Sequence, residues 1–344
     1  MMKKTIAVLF GGCSSEHEIS RLSAATILRN LSRDKYDVLS VGITKSGRWF
    51  LTKAAPEQVE NGEWENHPSN CQAFLTPDRS IHGLFLPASG ETVRVDAVIP
   101  ALHGKNGEDG TVQGLFELSG IPLVGCGTLA SALCMDKDRA HKLVSLAGIA
   151  VPKSVVLEKN TTAARQKILD TLSFPVFVKP VRAGSSFGVT RVESRDALGT
   201  AVDAAFRYDS SVIVEEAVPG FEVGCAVLGT DTLTVGRTDE IELSGGFFDF
   251  EEKYMLKTSR IHMPARVDAA TELRIQETAK TIYRALGCSG FARVDLFLTP
   301  SGELVFNEVN TIPGLTAHSR FPNMMKGIGL SFPQMIDRLL GLYV

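Results

Sequence analysis

Apolar and polar residues alternate along Phe291 to Thr316, FARVDLFLTPSGELVFNEVNTIPGLT, and the alternation predicts two β-strands joined by a tight turn at Ser301-Gly302. With a two-residue loop, Pro300 faces Glu303, Asp295 stands opposite Glu308, and Arg293 opposite Asn310. Those four residues share one face, and Val294, Leu296, Leu298, Val305 and Val309 form the core face. Upstream, Thr5 to Phe10, Val38 to Ile43 and Val95 to Leu102 read as buried strands. A turn at Gly11-Gly12 leads to a helix capped by Ser20 and running to about Leu31, and a second helix spans Thr111 to Ser119. This alternation implies an α/β fold with a parallel sheet and functional loops at the carboxyl ends of its strands.

A helix is expected over Thr128 to Leu146, ending at Gly148. Strands follow at Ser154 to Leu157, Val176 to Pro180, Val189 to Glu193 and Val212 to Glu216, with helices at Thr161 to Leu172 and Arg195 to Arg207. The stretch 244–263 has paired glycines, mixed charge and no sustained period, as a lid or binding loop does. Ala269 to Leu286 is an amphipathic helix with Ile275, Ala279, Ile282 and Leu286 on one face, and Phe332 to Leu342 is the last helix. The domains expected are 1–132, 133–218 and 219–344.

Composition narrows the class. A chain of 344 residues, 44% hydrophobic and 22% charged, is an ordinary globular sequence with room for two or three cores. A net charge of −3 leaves no electrostatic footprint for nucleic acid, and no apolar run is long enough to span a membrane. The opening MMKKTIAVLF reads as a first strand rather than a signal peptide. Six cysteines without a C-x-x-C pair read as reduced, mostly buried thiols of a cytoplasmic protein.

The chemistry starts from the hairpin. Carboxylates held opposite each other repel, and a hard divalent cation between Asp295 and Glu308 removes that penalty. The Asn310 carbonyl completes an oxygen set suited to magnesium, which points to a nucleotide-phosphate site. Without a cation these residues are solvated charges on an exposed hairpin. The loop RAGSSFG, Arg182 to Gly188, lets backbone N–H groups approach phosphate oxygens, with Ser185 and Ser186 as further donors and Lys179 as a point charge. A plain glycine turn has the same letters. Lys137 reads on its own as a surface lysine. Glu215 and Glu222 flank a Pro-Gly turn and suit an adenine amino group or ribose hydroxyls as well as loop ends. Glu18 either complements a helix N-terminus or binds an ammonium group. His103 lies where α/β sheets bind ligands, or holds its own loop.

Together the blocks GGCSSEHEIS, HGKNGEDGTVQG, MDKDRAHK, FVKPVRAGSSFGV, FFDFEEKY, GFARVDLF and NEVNTIPGLTAHSR resemble the D-alanine–D-alanine ligase family, in order across nearly the whole chain. The resemblance implies a three-domain ATP-grasp fold with an N-terminal Rossmann-like domain. It implies that Lys137, Lys179, Ser186 and Lys253 bind ATP phosphates, with Glu215 at the adenine and Glu222 on the ribose. Asp295, Glu308 and Asn310 would hold two Mg²⁺ or Mn²⁺ ions. Glu18 would receive the ammonium of the first D-alanine and form a bridge with Ser185 and Tyr254 that closes the lid. Arg293 and the Gly314 N–H would stabilise the oxyanion, and Ser319 would hold the second substrate's carboxylate near His103. The family further implies a homodimer.

Phe248 and Arg320 depart from the housekeeping pattern of Tyr and Leu or Met. They resemble the vancomycin-resistance branch that makes D-alanyl-D-serine, and Arg320 could donate to a hydroxymethyl group. Tyr254 argues against a D-lactate enzyme. D-alanyl-D-alanine remains the alternative product.

Overall fold

The computed structural model describes residues 3–243 and 259–344. The apolar run KTIAVLFG forms the strand Lys4–Gly11, parallel to Tyr36–Ile43 on one side and Ala97–Ala101 on the other. Trp49–Thr52 and Cys71–Gln72 extend this sheet antiparallel, as edge strands the sequence pattern did not predict. Because the three central strands are parallel, the loops after Gly11 and Ala101 emerge at the same edge. The helix after the first strand is His17–Asn30, with Glu16 at its N-cap, four residues before the expected cap at Ser20. Ser20 lies inside it, and its Oγ accepts from the Gly11 N–H at 2.7 Å.

A second sheet is wholly antiparallel, in the order Thr190–Val192, Val176–Pro180, Val212–Glu216, Ser154–Leu157. Helices Thr162–Thr171 and Arg195–Ala205 cover it, packing Ile168, Leu198 and Val202 against Val176, Val178 and Val214. The third sheet runs Ser259–His262, Thr234–Leu243, Phe221–Leu228, Phe291–Leu298, Leu304–Asn310. Helix Ala269–Ala285 lies on it, and the predicted stripe Ile275, Ala279, Ile282 and Leu286 is buried against Val223, Val294 and Leu296. Ser259–His262 falls in the stretch expected to be irregular, and pairing with Thr234–Leu243 makes it a strand instead.

Two local corrections matter for the site. The predicted helix Thr128 to Leu146 breaks at Asp136, whose extended backbone ends Thr128–Met135. Its carboxylate accepts the Arg139 N–H at 3.0 Å and caps a new helix, Lys137–Leu146, so Lys137 starts that helix. The hairpin turn is also one residue longer than expected. Thr299 N donates to Glu303 O at 3.0 Å, Gly302 N donates to Thr299 O at 2.9 Å, and Gly302 takes φ 82°. A β-bulge at Asn307 then restores the register, so Asp295 does face Glu308 and Arg293 does face Asn310. Between turn and bulge the faces are exchanged: Phe306 packs in the core with Leu296, and Val305, also buried, turns to the opposite face.

The six cysteines are free thiols; Cys13 is exposed, Cys71 half-buried and the other four buried. Among the described residues no helix is long and apolar enough to cross a membrane.

Candidate active site

One row of residues crosses four strands of the third sheet. Asp239 pairs with Gly224, Gly224 with Asp295, and Asp295 with Glu308. Three carboxylates in a row would repel one another, and Gly224 leaves an open place among them. Arg320 fills it from the first turn of helix Arg320–Lys326: a Cβ on Gly224 would collide with Arg320 Nη2 and lie 2.6 Å from Asp239 Oδ1. Arg320 donates from Nε and Nη2 to Asp239 at 2.7 and 2.8 Å and from Nη1 to Glu222 at 2.9 Å, while Nη2 lies 3.2 Å from Asp295 Oδ1. Burial works against the charged guanidinium, but Asp239, Asp295 and Glu222 hold its pKa well above the ordinary value.

Asp295 is only 1% exposed and is also gripped by Arg293, which donates from Nη2 at 2.7 Å and from Nε at 2.9 Å. Asn310 Nδ2 donates to Asp295 Oδ2 at 3.0 Å and reaches Glu308 Oε1 at 3.4 Å. Among the described residues no group of three His, Cys, Asp or Glu side chains is placed to hold a metal ion; the candidate set from the hairpin is Asp295, Glu308 and the Asn310 amide. The set fits a hard cation: its two acids face each other and its third member offers oxygen once the amide turns over. Arg293 and Arg320 both pair with Asp295, at 2.7 and 3.2 Å.

Two adjoining pockets meet at Lys137, Ala183 and Glu308, which line both. The first takes in Glu16, His103, Glu108, Ser185, Arg293, Asn310, Gly314, Ser319 and Arg320. The second takes in Phe177, Lys179, Ser186, Glu215, Glu222 and Phe297, an apolar slot with charge at one end. Lys179 Nζ donates to Glu215 Oε2 at 2.6 Å and lies 5.7 Å from the Phe177 ring centroid. Lys137 Nζ donates to the Ala183 carbonyl at 2.7 Å. Ser185 and Ser186 both take left-handed φ angles, 48° and 59°, which bends the loop around the junction of the two pockets.

The sequence expectation of a Glu18–Ser185 bridge is corrected here. Glu18 is half exposed and pairs with Lys45 at 2.5 Å. That hydrogen bond is the main reason its carboxyl lies below the ordinary value. Glu16 is the buried acid, and Ser185 Oγ donates to its Oε1. Bare glycines make room for it: a Cβ on Gly104 would collide with Glu16 Oε2, and one on Gly184 would sit 3.4 Å away. The helix starts at His17, so Glu16 precedes its first turn and turns inward.

His103 lines the first pocket, but its ring nitrogens are spent on the fold, Nδ1 at 3.0 Å from the Ile312 carbonyl and Nε2 at 3.0 Å from Ser23 Oγ. Ser319 likewise turns to its own helix end, meeting Thr316 N at 3.0 Å and Thr316 Oγ1 at 2.8 Å. Gly314 lies beside it, with no space for a side chain. Phe248, Lys253 and Tyr254 lie outside the described residues.

Residues 5–126 match the family described as "D-ala D-ala ligase N-terminus", and residues 143–341 match "D-ala D-ala ligase C-terminus". The chain belongs to the D-alanine–D-alanine ligase family. It is therefore an α/β ATP-grasp protein and an ATP-dependent ligase with D-alanine as one substrate, and its family uses a divalent metal. It is similar to the solved structure titled "Crystal Structure of VanG D-Ala:D-Ser Ligase from Enterococcus faecalis", at 59% identity and TM-score 0.94 with 100% of both chains covered. It is 47% identical to the vancomycin/teicoplanin A-type resistance protein VanA of Enterococcus faecium, over 99% of each chain. It is 43% identical to the D-alanine–D-alanine ligase of Caldicellulosiruptor bescii, over 100% of this chain and 96% of that one.

Sequence reasoning about this ligase missed Glu16, Glu108 and Asp239. Glu16 stands two residues from Glu18 in SSEHE, and only the true start of the helix separates their directions. Glu108 is buried in the loop after His103, where its oxygens accept from Gly104 N at 2.8 Å and Ile312 N at 3.3 Å. Asp239 sits in an ordinary alternating strand, and the one hint in the sequence was a glycine in the neighbouring strand.

Proposed function

We propose that this ligase joins D-alanine to D-serine through a D-alanyl phosphate intermediate, in the cytoplasm and as a homodimer, for peptidoglycan precursors of the vancomycin-resistance type. The reading rests on Arg320. Of its five N–H groups, three donate hydrogen bonds to Asp239 and Glu222, and Nη2 also forms an ion pair with Asp295 at 3.2 Å. Among the described residues one Nη1–H is left for an acceptor in the pocket that Arg320 lines. A D-serine hydroxyl meets that need, and a D-alanine methyl does not. The 59% identity to a D-Ala:D-Ser ligase supports the same choice.

The residues divide the work between the two pockets. The slot beside Phe177 would take adenine, with Glu215 next to it and Glu222 toward the ribose. Lys137, Lys179 and Ser186, with Lys253 from beyond the described residues, would meet the phosphates. Asp295, Glu308 and Asn310 would hold two Mg²⁺ or Mn²⁺ ions, which neutralise phosphate charge when bound. In the first pocket Glu16, oriented by Ser185, would receive the D-alanine ammonium. The D-alanine carboxylate would then attack the ATP γ-phosphorus in line, forming the acyl–O–P bond as the bond to ADP breaks and ADP leaves. The D-serine amine attacks the acyl carbon, and Arg293 with the Gly314 N–H stabilises the oxyanion before phosphate departs. Phe248 and Tyr254 would close the acceptor and ammonium ends, and His103 and Ser319 would shape the acceptor floor from the positions their own hydrogen bonds fix.

Competition settles the acceptor. With D-alanine and D-serine at equal concentration, ATP and Mg²⁺, mass spectrometry should find mostly D-alanyl-D-serine. Mostly D-alanyl-D-alanine would establish the housekeeping reaction instead.

A further inference from the structure

His141 is buried beneath the nucleotide slot, one turn beyond Lys137 on the same helix. Its ring stands edge-on to Phe306, with centroids 5.5 Å apart at 76°. Nε2 lies 3.3 Å from the Asn307 carbonyl oxygen, and Nδ1 lies 3.8 Å from Glu215 Oε1. Nδ1 and Glu215 Oε1 are both buried, and neither has a hydrogen-bond partner among the described residues. Both ring nitrogens therefore face oxygen acceptors. A neutral imidazole can donate to one of them, so one lone pair meets another; an imidazolium satisfies both.

Burial and the nearby Lys179 explain why the ring can remain neutral here, beside Glu215. Glu215 is 3% exposed, and its other oxygen takes the Lys179 ammonium at 2.6 Å. Burial works to raise the Glu215 carboxyl, but Lys179 and His141 outweigh it and keep its pKa below the ordinary value. Burial chiefly lowers the His141 imidazole, with Lys179 and Lys137 adding to that and Glu215 opposing. The groups facing the ring are thus Glu215 and Lys179 from two strands of the second sheet, Lys137 from its own helix and the Asn307 carbonyl from the third sheet. The balance depends on where Lys179 points.

We propose that His141 is a positioning residue and the reserve counter-ion of the nucleotide slot. When bound nucleotide draws Lys179 from Glu215, His141 takes one proton from solvent and its Nδ1–H closes on Glu215 Oε1. The carboxylate stays in place for the nucleotide without being left buried and unpaired. Closure by about 1 Å converts the present separation into a hydrogen bond. The inference rests on the nucleotide reading of the second pocket.

Calorimetric titration of the full chain with ADP and Mg²⁺ at pH 8, in Pipes and in Tris, tests it. The pH suppresses titration of the nucleotide phosphates themselves. Wild type should show an apparent enthalpy that changes with buffer, corresponding to uptake of close to one proton per ADP. His141→Phe should bind about 3- to 10-fold more weakly with no buffer dependence. His141→Gln, which can still donate to Glu215, should recover affinity but not proton uptake. Buffer-independent enthalpy in wild type, or unchanged uptake in folded His141→Phe, would overturn the inference alone. Failure of wild type to bind ADP would overturn the nucleotide reading and this inference with it.

Discussion

Arg320 grips Asp239 with two parallel hydrogen bonds of 2.7 and 2.8 Å directly over Gly224, the bare position between Asp239 and Asp295. This fork fixes the guanidinium plane as well as its position at the edge of the first pocket. Replacing Gly224 by Ala puts a methyl into Arg320, Asp239 and Met324 Cε, the last 2.9 Å away. Gly224→Ala should lose about 1–3 kcal/mol of stability in urea denaturation. Its kcat/KM for the acceptor should fall further than its KM for ATP rises.

Arg320→Met takes one guanidinium from three carboxylates at once. Asp239, 1% exposed, would be left buried with the Gly224 N–H at 3.1 Å, while Asp295 would keep Arg293. Breaking buried pairs in this way costs about 3–5 kcal/mol. The double variant Arg320→Met/Asp239→Asn should regain part of that loss. If the single variant unfolds at the wild-type urea midpoint, the cluster contributes nothing to stability. Acceptor selectivity should be compared only between variants shown to be folded.

Glu16 and Glu18 make a paired experiment. Glu16→Gln removes the charge beside Ser185, and kcat/KM for the first D-alanine should drop about 10- to 100-fold, the range of a hydrogen bond to a charged group. Glu18→Gln breaks only a half-exposed pair with Lys45 and should stay within twofold of wild type. The reverse order would return the ammonium to Glu18.

Glu108 gives the molecule a pH-dependent stability. Burial, then the neighbouring Glu16 charge, pushes its carboxyl up to about 8. A raised folded pKa means that protons bind more tightly in the native state. The contribution is complete below the unfolded value near 4.5 and is lost as pH climbs through about 8. Tm measured at pH 5, 7 and 8.5 should therefore fall more steeply for wild type than for Glu108→Gln. Parallel curves would show that Glu108 does not titrate in that window.

Lys179→Ala and Glu308→Ala should each abolish ADP release in the presence of D-amino acids. Glu308 borders both pockets, so its loss should also weaken binding of the first D-alanine; Lys179 lines the nucleotide slot and should not. Near wild-type turnover in either variant would remove it from the chemistry.

Period-two patterning found the opposed acids 295 and 308, but for a reason only half right. The expected two-residue turn and straight strand give the same pairing as the actual three-residue loop followed by a bulge at Asn307, because the two shifts cancel. Leu304, Val305 and Phe306, between turn and bulge, betray the difference. Patterning also gave the parallel strands and the stripe on Ala269–Ala285, since burial on one face leaves a local trace in the letters. It missed the break at Asp136 because both flanking segments are helical in composition and one capping carboxylate decides the matter. Asp239 escaped for a different reason. Its role needs three strands aligned and a guanidinium arriving from residue 320, and no window of sequence contains that arrangement.

Lys137 and Glu308 each look into both cavities, so the partition between them is a single layer of side chains. In the proposed reaction, an energy-rich mixed anhydride born at that wall would reach the waiting amine by a change of neighbour rather than a journey. Small molecules that straddle the wall would gain from both compartments at once, and their two halves could be optimised separately before being tethered.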